Sequence, residues 1–195
     1  GFLYCIPESL ETGSIQLFRF DDKNRWVKEH TLIDDFPGAD ASIIFYQDRW
    51  WMFVTHAKDG TEHKLYVWYA EDLKSVWKPH EQNPVKFDIQ SSRSAGHPFI
   101  YRDNLFRPSQ NCSTTYGGSI TINKVNLITP TEFSEECVKQ ILPQRDSLYP
   151  DGLHTLSSLN DVSVIDGKRK VFVPFVPLLL KAKLQNTLKS IFFKI

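Results

Sequence analysis

Two carboxylates carry the first chemical suggestion in this chain. Glu8 follows Pro7 at the end of the apolar run "LYCIP", and Asp40 stands in "PGADAS", just ahead of a hydrophobic segment. A carboxyl beside apolar walls holds its proton more tightly and can donate it as a general acid. A second carboxylate opposite it completes the pair that glycoside hydrolysis requires. Acidic residues ahead of strands also satisfy loop amides, so the same two residues suit a polar substrate contact or a purely structural bond.

The stretch "SSRSAGHPFIYRDNLFRPSQNCSTTYGGSITI", Ser91 to Ile122, adds donors. Arg93 and Arg107 offer planar forks that match carboxylate, phosphate or sugar hydroxyl groups, with an internal ion pair to Asp40 or Glu8 as the competing use. Gln110 and Tyr116 can hydrogen-bond a sugar, and the Tyr116 ring can stack on its apolar face. Gly117-Gly118 suit a tight turn or close backbone packing; no lysine and helix start follow, so they make no phosphate cradle. His154, in "DGLHTLS", follows Asp151-Gly152 at a strand entry. An imidazole there can contact a hydroxyl, orient a carboxylate, or be satisfied by backbone.

Composition removes other classes. The chain has 195 residues, which suits one domain with its own core. Lys+Arg and Asp+Glu both total 23, so no global field draws nucleic acid. Cys5, Cys112 and Cys137 are odd in number, far apart and without a Cys-x-x-Cys spacing. They fit buried or free thiols in a reducing compartment, not a disulfide framework or a zinc site. His30, His56, His63, His80 and His97 show no ligand spacing and are expected on the surface or in loops. No metal and no cofactor are expected. No signal-peptide pattern opens the chain, and the expectation is a cytoplasmic protein.

The elements that must position these groups are strands. Aromatics reach 13 %, with five Trp, eleven Pro and one Met, a mixture that favours strands and turns over a helix bundle. One unit recurs: a short strand, a tight turn, then an aromatic strand. Its turns are Gln47-Asp48-Arg49, Arg102-Asp103-Asn104 and Asp166-Gly167-Lys168. Sheets of about four strands repeated in this way cannot bury both faces alone and stack radially. A β-sandwich is the rival and predicts more even turn spacing. Thr129–Ile141 reads either as one helical turn or as a strand with polar flanks.

The segment "ADASIIFYQDRWWMFVTHAKDGTEHKLYVWYAEDLKSVWKPHEQNPV" resembles a blade of the five-bladed glycosidase propellers of the arabinanase, xylosidase and invertase type. More narrowly, "CIPES", "FPGADASI", "SRSAG", "FRPSQNCSTTYGGSI" and "DGLHTLS" resemble, in that order, the propeller domain of plant glucosamine inositolphosphorylceramide transferases. Related propellers occur in bacterial formyltransferase-like, polysaccharide-associated proteins. The resemblance implies an all-β fold of the five-bladed β-propeller type over residues 1–173. The match amounts to three to four blades, an incomplete ring. It also implies that the innermost strand of each blade starts at a central funnel, which would bring Glu8, Asp40, Arg93, Arg107 and His154 together.

Residues 174–195 form a separate amphipathic tail, with Leu180, Leu184, Leu188, Ile191 and Ile195 at the spacing of a short C-terminal helix. Its apolar run is too short to span a bilayer. Packing on the domain, docking on a partner and lying on a membrane surface are its three readings. The functional expectation is a sugar- or glycan-binding domain of a glycan-biosynthesis protein, with the ligand in the funnel. An active glycoside hydrolase or glycosyl-transfer enzyme using Glu8 and Asp40 is the second class, and a protein-binding scaffold the third.

Overall fold

The computed structural model describes residues 2–159 and 162–171. Among the described residues, four antiparallel sheets follow one another along the chain. The first holds β1 (Tyr4–Cys5), β2 (Ile15–Phe20) and β3 (Trp26–Ile33), with a short 3-10 turn at Leu10–Thr12. The second runs β4 (Gly38–Tyr46), β5 (Arg49–His56), β6 (Lys64–Ala70) and β7 (Lys78–Pro79), with β8 (Lys86–Phe87) also paired to β6. The third runs β9 (Phe99–Tyr101), β10 (Asn104–Asn111), β11 (Ser119–Ile128) and β12 (Phe133–Ile141). The fourth pairs β13 (Leu156–Leu159) with β14 (Val162–Ile165).

Local chemistry explains the hairpins. Gln47 and Asp48 both have positive φ (51° and 58°), as do Arg102 and Asp103 (49° and 61°). Two consecutive left-handed residues make the two-residue turn whose twist matches that of the flanking strands. Asp tolerates this conformation because its short side chain can bond locally.

The sheets stack face to face because β5 is apolar on both sides. Met52 and Val54 pack with Ile15, Leu17, Leu32 and Ile33 of the first sheet. Trp51 and Phe53 pack with Leu105, Val125 and Ile128 of the third. Alternation along one strand therefore joins three sheets. A third apolar cluster, Ala95, Ile120 and Ile122 with Leu153 and Leu156, joins the third sheet to the fourth. The first strands of all four sheets, or the residues leading into them, border one cleft of about 620 Å³, with Tyr4, Ile43, Gly96 and Thr155 among its walls. This radial order is that of a β-propeller, not of a two-sheet sandwich.

Of the two readings of Thr129–Ile141, the strand is the one found: β12 occupies Phe133–Ile141, and Thr129 and Glu132 close the turn before it. Other local expectations change. Asp166-Gly167-Lys168 is not the hairpin turn. Its hairpin lies one strand earlier, between β13 and β14, while Lys168 pairs with Gly152. His80 lies in a loop but is buried, and His30 and His56 lie within β3 and β5 and are half-buried. The helix expected over residues 174–195 lies outside the described residues.

Candidate functional site

Asp40 sits where β4 begins, in the left-handed conformation (φ 51°). Its Oδ2 accepts from Arg93 Nε at 2.6 Å and from Gln110 Nε2 at 3.2 Å. Its backbone N–H donates to Glu8 Oε2 at 3.3 Å. Gln110 is buried and also donates to the Ser94 carbonyl at 2.9 Å. The Arg93 guanidinium lies 4.7 Å from the centre of the Tyr116 ring. Burial disfavours the Arg93 charge, but Asp40 more than compensates and raises its pKa. Burial pushes the Tyr116 phenol up against the pull of Arg93, so it remains a neutral donor.

The fourth sheet adds a second group of contacts. The Tyr116 hydroxyl is hydrogen-bonded to His154 Nε2, and the two rings are 5.0 Å apart. Nδ1 of His154 meets Asp166 Oδ2 at 3.1 Å, while Asp166 Oδ1 accepts the backbone N–H groups of His154 and Thr155, each at 2.7 Å. Burial opposes ionisation of Asp166, but those two amides and the imidazole outweigh it and hold the carboxyl below its ordinary value. With Asp166 on Nδ1, Nε2 is left to accept the Tyr116 hydroxyl proton. Gly117 (φ +59°) and Gly152 permit this approach: a Cβ on Gly152 would lie 2.2 Å from the Gly117 carbonyl oxygen.

Six of the seven residues singled out in the sequence thus meet: Glu8, Asp40, Arg93, Gln110, Tyr116 and His154. Arg107 does not join them. It faces the second sheet, fully buried, with its guanidinium 5.8 Å from the Phe53 ring centre. Nε and Nη2 donate to the two oxygens of Glu135, at 2.9 and 2.6 Å, while Nη2 also donates to the Ser91 carbonyl and Nη1 to the Ser92 carbonyl at 3.1 Å. Four of its five N–H donors are engaged in this way and its side chain is fully buried, so it is turned away from the group around Asp40. Strand parity separates the two: Arg107 and Gln110 are three apart on β10 and point to opposite faces.

Asp166 went unrecognised because an Asp-Gly pair signals a turn. Its spacing from His154, across a whole hairpin, carries no local signature. Around the hub, Asp40 and Glu8 share a recess of about 190 Å³, and Arg93 borders another of about 510 Å³ with Glu62 and His63. The ensemble offers carboxylate acceptors, a guanidinium, an amide and a partly exposed phenol ring, the groups that hold a polyhydroxylated ligand.

Residues 1–148 match the family model described as glucosamine inositolphosphorylceramide transferase 1, N-terminal. The chain belongs to that family. The glucosamine inositolphosphorylceramide transferase 1 of Oryza sativa subsp. japonica is 33 % identical over 142 residues, covering 68 % of this chain and 18 % of the relative. That of Arabidopsis thaliana is 29 % identical over 141 residues, covering 69 % and 18 %. The chain therefore spans under a fifth of the length of these curated transferases.

Among solved structures, the fold of this transferase-family domain is similar to an exo-β-1,3-galactanase of Clostridium thermocellum. The TM-score is 0.54 at 12 % identity, over 69 % of this chain and 31 % of that one. It is also similar to GH43B of the xyloglucan utilisation locus of Bacteroides ovatus, with a TM-score of 0.50 at 13 % identity over 85 % and 31 %. At such identities the likeness is one of fold.

Proposed function

We propose that this domain binds a sugar or glycan at the funnel built by Glu8, Asp40, Arg93, Gln110, Tyr116 and His154, as part of a glycan- or glycolipid-biosynthesis protein. One observation carries the reading. Residues of four successive sheets and their adjoining loops, far apart in sequence, converge in one run of polar contacts from Glu8 to Asp166, hydrogen-bonded from Glu8 to Arg93 and from Tyr116 to Asp166 and joined between them by the Arg93 guanidinium over the Tyr116 ring. A core needs no such polar convergence, and burying polar groups is unfavourable unless they are used. The half-exposed Tyr116 ring supplies a stacking face beside fixed donors and acceptors, the usual composition of a sugar site. The names of the relatives point to a glucosamine- or inositol-containing ligand.

Binding is favoured over hydrolysis by the state of Asp40. Its Oδ2 is already engaged by Arg93 and Gln110, so it does not stand free as a base or nucleophile opposite Glu8. A glycan array that includes glucosamine-terminated and inositol-containing ligands tests the proposal. Wild-type protein gives a specific signal, and Arg93→Ala and Tyr116→Ala each weaken it by about tenfold or more, as expected for a charge-assisted contact and a stacking face. A well-folded wild type that binds nothing on the array overturns the reading. Release of reducing sugar from a bound glycan, abolished by Glu8→Gln, would move the assignment to hydrolysis.

A further inference from the structure

Arg93 reaches Asp40 from the segment between Asp88 and Ser94, and Arg107 is among the groups that hold that segment. Asp88 accepts the Gln90 amide at 2.9 Å and the Ser91 hydroxyl, and Ser92 Oγ accepts the Asp88 amide at 3.0 Å. Thr121 of β11 donates to the Gln90 carbonyl at 3.0 Å. The two carbonyls just before Arg93, those of Ser91 and Ser92, both receive the Arg107 fork. Arg107 is anchored from behind by both oxygens of Glu135, which also takes Lys86 Nζ at 2.8 Å. The Arg93 carbonyl itself accepts the Gln110 amide at 2.8 Å, three residues along the same strand.

We propose that Arg107 is a positioning residue: it fixes the backbone of Ser91 and Ser92 and thereby aims the Arg93 guanidinium at Asp40 and Tyr116. A lysine in its place keeps the charge beside Glu135 but cannot span two carbonyls and a carboxylate at once, because its donors radiate from a single nitrogen. The consequence for a ligand rests on the binding reading above; the effect on Arg93 does not.

The test uses the Arg93 Nε–H proton, identified in proton–nitrogen correlation spectra by its loss in Arg93→Lys. In the wild type this proton, bonded to Asp40, exchanges slowly with solvent. Two variants are compared: Arg107→Lys, and Arg107→Met combined with Glu135→Leu, which removes both buried charges together, a change that folds commonly accept. Both are expected to keep wild-type near-ultraviolet dichroism and protected amides in β5. The Arg93 Nε–H exchanges about tenfold faster or more in each, since a charge-assisted hydrogen bond is weakened. Unchanged exchange in a folded variant overturns the proposal. So does a double variant that fails to fold, because Arg107 would then serve stability alone. A wild type without glycan affinity would remove the binding reading and leave the Arg93 result to decide this one.

Discussion

Asp40 holds a backbone conformation that costs a non-glycine residue on the order of 1 kcal/mol, and it does so where three partners meet its carboxylate and amide. Arg107 and Glu135 make the opposite case, a pair sealed away from ligand with side chains 0 % and 1 % exposed. Truncating one partner strands the other charge. Arg107→Ala is expected to lower stability by about 3–5 kcal/mol, read as a shift in the urea midpoint with the slope unchanged. Burial opposes the ionisation of Glu135, but Arg107 and Lys86 outweigh it and leave its pKa below the ordinary value. The unfolded chain therefore takes up this proton first as pH falls, so the contribution is full above the ordinary glutamate value, about 4.3, and is lost progressively below it. Glu135→Gln should flatten that part of the urea-midpoint profile between about pH 5 and pH 3; an unchanged profile would place the acid sensitivity elsewhere. At this scale the sequence was legible in residue type but not in direction. Arg93 and Arg107 look alike in "SRSAG" and "FRPSQ", and only their partners in space, Asp40 for one and Glu135 for the other, tell them apart.

The elements were more legible than their ends. The aspartate turns marked two hairpins correctly, and with them the strands they join, β4 with β5 and β9 with β10. Pro108 argues against a strand from sequence alone. It is tolerated because its carbonyl bonds to Ala95 of the preceding loop, on the side where its missing N–H would point, while the other side keeps the ladder to β11. Gly96 shows how loops set the site. With φ +116°, its Cβ position would lie 2.1 Å from the Leu156 carbonyl oxygen, and the neighbouring Ala95 carbonyl accepts the Leu156 amide at 2.7 Å. Gly96→Ala is expected to push the start of β13 away, carrying His154 off Tyr116. The measurement is the His154 ring proton shifts, which should move toward free-imidazole values in the variant; unmoved shifts would show that the fourth sheet is held independently of this contact.

Across the whole molecule, stability is built from interfaces between neighbouring sheets, as in other stacked-repeat folds. Phe53 belongs to the junction of the second and third sheets, Met52 to that of the first and second. Phe53→Ala should cost about 3–5 kcal/mol and raise amide exchange in β10 and β11 well before β2 and β3; uniform loss of protection would instead mean that all the sheets open as one cooperative unit. The radial order was legible from the turn shared by the second and third sheets together with the family resemblance, although the third expected turn was misplaced. The polar convergence could not be read residue by residue, since it depends on partners up to 70 positions apart, as with Asp40 and Gln110. The two left-handed turns, at Gln47-Asp48 and Arg102-Asp103, lie at the ends of β4 and β10 remote from Asp40 and Gln110. A linker attached to Asp48 or Asp103 would therefore tether the protein to a sensor chip or resin with the polar cluster around Asp40 turned toward the flowing sample.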